Sequence, residues 1–347
     1  MRILYGGILA LILFVGGYVF WWNHVAEQML IQAERWQAAR TAEGYEIRHK
    51  PLTTSGFPYR VAVTAEDLSI ANPGHEYAPR IEIPRFWAIV QPWRINHVIY
   101  GIEGTGKAVW QEKGATREVT FTAASVLGSA TFNLQGRMQT AALDIKELNA
   151  TPSWRPPVSA GRVQLHGRPR QTETEEKSAP EKADGQQIAL RIHNLVIDGM
   201  EDFPLGSQIA DFALSSTLYG TIRRLPAKDT LAEWRDAGGY VDIEALQIGW
   251  GQGALQGEGR VALDEQLRPQ GAVDTRISGY REILAALIAA GQINPDAGVT
   301  IGFGLDLLAR EDDSGRRYIG LPLSAQNGRL YLGPVYLMNV PAVTGES

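Results

Sequence analysis

From Ile3 to Trp22 the chain carries no charged side chain, and nothing else in the sequence restricts the fold as strongly. Read as a helix at 1.5 Å per residue, such a run reaches roughly 30 Å, the thickness of a bilayer's hydrocarbon core. A secretory signal has a shorter apolar region, of about 7 to 15 residues, ahead of a small-x-small cleavage site. Here the run closes instead on Tyr18, Phe20, Trp21 and Trp22, and aromatic side chains favour the headgroup interface. Residues 1–22 are therefore expected to form a retained transmembrane anchor; the alternatives are a cleaved export signal and the first buried helix of a soluble protein. Arg2 and the amino terminus flank one side, and no Lys or Arg follows on the other before Arg35. The positive-inside bias then keeps the N-terminus in the cytoplasm and sends the main domain into the periplasm, giving a single-pass inner-membrane protein. Residues 23–43 are expected to continue as a juxtamembrane amphipathic helix, with Val25, Met29, Ile31, Trp36 and Ala39 at about helical spacing before Gly44. It is either a spacer or lid, or a helix packed on the domain behind it.

Beyond Gly44 the dominant pattern is alternation. Arg60–Ile70, Met138–Leu148, Ile188–Ile197 and Tyr240–Ile248 place apolar residues mainly at every second position, as strands with one buried face do. Turn chemistry punctuates them, at Asn72-Pro73-Gly74 and at Asn327-Gly328, the latter joining strands Ile319–Ala325 and Arg329–Leu332. The expected fold is mainly β with a few helices: an anchor followed by a curved, largely antiparallel sheet. Two helices are expected in the second half, near 229–237, where Thr230 and Glu233 form a capping box, and near 281–293, where Ile283, Leu284, Leu287 and Ile288 share one face.

Segment 170–187 has no side chain larger than alanine among its apolar residues, too little to offset the entropy of ordering. It reads either as a disordered linker or solvated loop between β-rich halves at 44–169 and 188–347, or as a charged hairpin insertion. The halves show an internal match. Asp144–Leu148 and Gly161–Leu165 in the first correspond to Asp242–Leu246 and Gly259–Leu263 in the second, all offset by 98 residues. A duplicated half-barrel or groove would account for it.

Chemistry is hard to find. Gly101–Ala108 nearly spells a phosphate-binding loop, but Ala108 has no hydroxyl for magnesium and Val109-Trp110-Gln111 reads as a strand, not a helix start. Gly249-Trp250-Gly251-Gln252-Gly253 misplaces the third glycine of a dinucleotide fingerprint. The six histidines lie far apart, without metal-ligand spacing, and cysteine is absent, which removes disulfides, thiolate sites and cysteine nucleophiles together. Asp67 with Glu66, and Asp312 with Asp313, are adjacent carboxylates that point to opposite strand faces. With 33 Lys and Arg against 38 Asp and Glu there is no basic stripe for a phosphate backbone, so nucleic acid is not an expected partner. No catalytic residue, cofactor or metal is expected. The aromatic clusters Pro84–Trp87 and Gln91–Trp93 read as core anchors at turns between strands, or as a hydrophobic ligand rim.

Several stretches resemble one family of bacterial envelope proteins, that catalogued as domain of unknown function 2125. They are Ser55-Gly56-Phe57-Pro58-Tyr59-Arg60, Gln91-Pro92-Trp93, Gly279-Tyr280, and Asn327-Gly328-Arg329-Leu330-Tyr331-Leu332-Gly333-Pro334. The resemblance would span almost the whole chain, and it brings no catalytic or ligand residue with it. On physical grounds Ser55, Gly56, Phe57, Pro58, Arg60, Pro92, Trp93, Gly279, Tyr280, Gly328, Gly333 and Pro334 are expected to be structural, with Phe57 plugging the core before the first long strand. Architecture alone is similar to AsmA-like proteins, which join an anchor to a sheet curled around an apolar groove. The expected role is non-enzymatic: lipid carriage along an apolar groove, or support of envelope assembly with protein partners. A pure interaction scaffold and an anchored hydrolase acting on glycan or lipid are the alternatives.

Overall fold

The computed structural model describes residues 2–170, 185–220, 222, 228–313 and 315–344. One uninterrupted helix, α1 (Arg2–Ala42), joins the expected anchor and juxtamembrane segments. It is long enough and apolar enough to cross a membrane, and its most apolar window is not buried against protein. The chain divides into two compact units, Met1–Pro157 and Val158–Ser347.

In the first unit α1 is followed by β1 (Glu46–Arg48), β2 (Thr53–Ser55), β3 (Val61–Ala71), β4 (Arg80–Gln91), β5 (Arg94–Glu103), β6 (Gly106–Glu112), β7 (Ala115–Thr122), β8 (Ser125–Phe132) and β9 (Met138–Pro152). Pairings β4–β5, β5–β8, β8–β9, β9–β7, β7–β6 and β6–β4 form a ring, all antiparallel. Register shows how the ring arises. β5 and β6 follow β4 in registers one residue apart (Arg85↔Glu103, Glu82↔Lys107), and β8 and β7 follow β9 in a single register (Ser125↔Lys146, Thr122↔Asn149). β1 and β2 likewise share one register on β3 (Arg48↔Ser69, Thr53↔Thr64). The unit is thus a meander of long strands, three of them interrupted midway.

The interruptions line up. Continuing the registers places Lys50, Asp67, Pro84, Gly104, Ala124 and Glu147 on one line across the strands. Asp67 and Glu147 both have φ 51, Gly104 has φ 89, and Pro84 has no N–H for a ladder. Left-handed residues and a missing donor break the pleat, so the sheet is creased here. Lys50 spans the break with ion pairs to Asp67 (2.9 Å) and Glu66 (3.8 Å). Below the crease one face is apolar in rows: Val61–Val90–Val98–Ala130–Ala141, Val63–Ala88–Tyr100–Gly128–Leu143 and Ala65–Phe86–Ile102–Val126–Ile145. Tyr100 lies flat where a side chain at Gly128 would stand: a Cβ there would come within 2.1 Å of the ring.

The second unit contains β10 (Val158–Pro169), β11 (Gly185–Ile197), β12 (Gln208–Tyr219), α2 (Lys228–Asp236), β13 (Tyr240–Trp250), β14 (Gly253–Leu263), β15 (Pro269–Ser278), α3 (Tyr280–Ala289), α4 (Pro295–Leu308), β16 (Arg310–Glu311), β17 (Arg317–Gln326), β18 (Arg329–Leu332) and β19 (Val335–Asn339). From β10 to β15, then β17 to β19, each strand pairs antiparallel with the next.

Three expectations change. The division between units falls at Pro157, not within 170–187, most of which (171–184) lies outside the described residues. Its flanks are hydrogen-bonded neighbours inside the second unit, with Arg170 N donating to Gly185 O at 2.8 Å, the geometry of the hairpin alternative. A third helix, α4, follows α3. Pro84–Trp87 lies within β4, not at a turn. The repeated pentapeptides all fall on strands, and both Asp-Ile-x-x-Leu copies break regularity internally: Glu147 by its left-handed backbone, Glu244-Ala245 by a bulge between Ile243 and Leu246.

Candidate functional site

Two features stand out from the fold: a socket that grips the end of the apolar helix, and a sheet face that stays apolar and open. The socket gathers the first two groups of motif residues. At Gly56, φ is 103 and a Cβ would lie 2.6 Å from Arg60 Cγ, so only glycine fits this turn, closed by Arg60 N donating to Gly56 O. The turn leaves its carbonyls to the helix. Tyr18 Oη donates to Pro58 O, Trp22 Nε1 donates to Arg60 O at 2.9 Å, and Trp21 Nε1 donates to Pro92 O at 2.9 Å. Trp22, Val25 and Ala26 pack against Val61 and Val90, with Met29 and Val98 beside them. Trp22 is 8% exposed and Pro92 is fully buried. Ser55 ends β2 opposite Ala62.

Phe57 corrects an expectation. It does not plug the core: it is 52% exposed and lies against the helix, its ring centroid 5.6 Å from Trp22 in an edge contact and 6.3 Å from Tyr18. Trp93 is not a core anchor either, being 62% exposed in the β4–β5 turn. Both stand at the end of the sheet, outside its interior, and Phe57 has the helix as its neighbour.

The remaining motif residues serve the second unit. Gly279 precedes α3 at φ 70, and a Cβ there would sit 2.1 Å from Gln252 O. Tyr280 is buried, and its hydroxyl donates to Asp306 Oδ1 at 2.8 Å; Arg281 grips the same carboxylate through Nε (2.9 Å) and Nη2 (2.8 Å). These hydrogen bonds from Arg281 and Tyr280 hold Asp306 below the ordinary carboxylate range, and burial, with the hydrogen bond to Asp306, raises Tyr280. Asp306 thus clasps α4 to α3. Gly328 (φ 70) and Asn327 (φ 52) form the β17–β18 turn, and Gly333 (φ 55), followed by exposed Pro334, turns β18 into β19.

The open face lies on the same unit. Across β10 to β17 the registers align Val163–Ile192–Phe212–Ile248–Leu255–Ile277–Ile319, and beside it Leu165–Leu190–Leu214–Leu246–Gly257–Thr275–Leu321. α3 and α4 cover one end, where Tyr280, Ile283, Leu305 and Ala309 pack on Ile277 and Ile319. Away from them Ile192, Phe212, Ile248, Leu190, Leu214 and Leu246 are only half-buried, and Leu165 is exposed. Such a ladder of large apolar side chains, open across the four strands β10 to β13, is what an acyl chain or another apolar surface would cover.

The opposite face is polar. A cavity of about 560 Å³ there is lined by Glu244, Gln256, Glu258, Asp274, Arg276 and Tyr318 among others. Glu258 and Asp274 are direct cross-strand partners, and Glu244 accepts from Thr217 Oγ1 at 2.6 Å. No cluster of three or more His, Asp or Glu residues suited to a metal occurs among the described residues. Asp67 and Glu66 pair with Lys50, which their contact raises in pKa, foremost through the hydrogen bond to Asp67. Neither the socket nor the open face was visible as such in the sequence; the alternating runs gave each strand's faces, but only register stacks them into rows.

The sequence model of the family described as "Uncharacterized protein conserved in bacteria (DUF2125)" matches residues 22–341, beginning at the tryptophan that enters the socket. The chain belongs to that family. No curated protein and no solved structure matches it.

Proposed function

We propose that this member of the DUF2125 family is a non-enzymatic, membrane-anchored envelope protein that binds or carries a lipid along the apolar face of its second unit. In this reading α1 crosses the inner membrane with its N-terminus in the cytoplasm, and both β units stand in the periplasm. The observation that carries the reading is the incomplete burial of the rows through Ile192–Phe212–Ile248 and Leu190–Leu214–Leu246. A finished soluble core would bury them, since each large aliphatic side chain gains about 1.5–3 kcal/mol on full burial. The architecture supports it as well: an apolar helix long enough to cross a membrane ahead of a sheet with an apolar face. The full-length chain, purified in detergent and released in the mass spectrometer, is expected to retain bound lipid. Release of lipid-free chain from several detergents, with these side chains resistant to solvent labelling, would sink the carrier reading.

A scaffold role has its own support. Val299, Phe303 and Leu307 are exposed at successive turns of α4, a stripe suited to an apolar partner. In that case the same preparation would carry a protein, not lipid, and labelling of α4 would be the contact that changes.

A further inference from the structure

The first unit has two ends, and they differ in chemistry. One end carries the turns around Asn72–Pro79, Glu112–Ala115 and Ser153–Pro157, which are polar, charged or proline-rich, their two aromatic residues, Tyr77 and Trp154, being half-buried against His75 and Trp110. The other end carries the turns at 56–60, 91–94 and 133–137, as the pairings Val61↔Val90, Val98↔Ala130 and Phe132↔Met138 require. At the tips of these three turns stand Phe57, Tyr59 (75% exposed), Trp93 and Leu134 (101% exposed). Each turn also brings an exposed arginine: Arg60, Arg94 and Arg137, none in an ion pair among the described residues.

We infer that this end of the sheet is seated in the headgroup layer of the membrane that α1 crosses, its apolar tips among the upper acyl chains and its arginines at the lipid phosphates. The inference rests on reading α1 as an anchor, and adds a surface to it. The position follows from geometry. Counting from Leu4, a hydrocarbon core of roughly 30 Å is used up about twenty residues on, near Trp22. Trp21 and Trp22 are the residues hydrogen-bonded to Pro92 O and Arg60 O, so the 56–60 and 91–94 turns are held at the level where the span leaves the hydrocarbon. The third turn shares that end of the sheet, and Asn96 Nδ2 donates to Phe132 O beside it. A fully exposed leucine at a turn tip has no protein neighbour to reward it. In the interface it gains burial, while arginine gains anionic partners. Aromatic rings with one polar edge belong at the same depth.

The chain has no cysteine, which makes the test direct. Single variants Leu134→Cys, Trp93→Cys, Ala115→Cys at the opposite end, and Val15→Cys in the span are spin-labelled in the full chain and reconstituted in phosphatidylethanolamine–phosphatidylglycerol vesicles. Accessibility to a water-soluble nickel chelate should be at least about fivefold lower at 134 and 93 than at 115, with accessibility to oxygen higher. Labels at 134 and 93 as chelate-accessible as 115, with 15 shielded, would overturn the seating and leave the anchor standing. A chelate-accessible label at 15 would overturn both.

Discussion

Replacing Leu214 by alanine separates an open face from a covered one. Leu214 sits mid-row between Leu190 and Leu246, two strands from the α3 and α4 contacts, and is half-buried. The change removes three carbons, worth about 0.8 kcal/mol each when fully buried. Leu214 is mostly but not fully covered, so the loss stays under the full ~2.4 kcal/mol, at about 1.5–2 kcal/mol, and no cavity term follows, because solvent or a ligand fills the space. In a packed interior the same change costs about 2.7–5.0 kcal/mol, the excess coming from the void left behind. Ile277, buried beneath α3 and α4, is the internal reference, and Ile277→Ala is expected to cost about 2–5 kcal/mol. Urea unfolding of the full chain in one detergent, followed by tryptophan fluorescence, gives both values. Leu214→Ala is expected at about 2 kcal/mol or less and to lower the lipid retained after purification. A loss above about 3 kcal/mol, equal to that of Ile277→Ala, would show that protein already covers the face and would refute the argument.

Three further outcomes follow from single contacts. Trp22→Phe keeps the ring and loses the hydrogen bond to Arg60 O, costing about 1 kcal/mol, whereas Trp22→Ala costs about 3–5 kcal/mol; proteolysis between the helix and β3 should rise in that order. The Asp306 clasp is stabilising above the unfolded carboxylate pKa, because the folded value is depressed, and is lost as pH falls through that folded value. Amide protection in α3 and α4, taken relative to the intrinsic exchange rate at each pH, should therefore be flat down to about pH 5 and fall below about 4, and Asp306→Asn should remove the dependence. Gly279→Ala and Gly44→Ala both place alanine at positive φ, but only at Gly279 does the new Cβ meet backbone, 2.1 Å from Gln252 O. The first should cost well over the roughly 1–2 kcal/mol of left-handed strain that limits the second, by thermal unfolding.

Strand existence was legible because apolar alternation has a period of two, and β3, β9, β11 and β13 begin and end within a few residues of the alternating runs. α4 was hidden by its composition: Gly298, Gly302 and Gly304 lower helix propensity among Val, Ile and Phe. Its signal was the start, Asn294 accepting from Asp296 N ahead of Pro295. The 170–187 composition pointed to a break between halves, yet what decides a unit is which strands share ladders, and β10 shares one with β11. The same limit applied to the socket. Ser55–Arg60 and Gln91–Trp93 each looked like a turn, but their common partner is Tyr18 to Trp22, some forty and seventy residues earlier, and no local pattern encodes that meeting.

The way the socket works bears on what the anchor is for. Turns have carbonyls that no ladder uses, and a proline in each turn, Pro58 and Pro92, adds a carbonyl without adding an N–H that would need a partner. The two tryptophans are donors only and the tyrosine hydroxyl donates as well, so these three side chains answer the free turn carbonyls of Pro58, Arg60 and Pro92. Below these bonds Trp22, Val25 and Ala26 close on the first apolar row of the unit. α1 continues unbroken to Ala42, past the docking site, with Gln37 donating to Ile47 O at 3.4 Å and bonded to His49 at 3.1 Å. A chain that needed only to be kept near a membrane could do so with a span and a flexible tether. Here α1 is bolted at Tyr18, Trp21 and Trp22 and braced again at Gln37, which fixes the tilt of the first sheet against the helix. On the proposed reading of α1 as an anchor, that rigidity would set the height above the lipid at which the first unit's apolar rows begin, at Val61, Val90 and Val98.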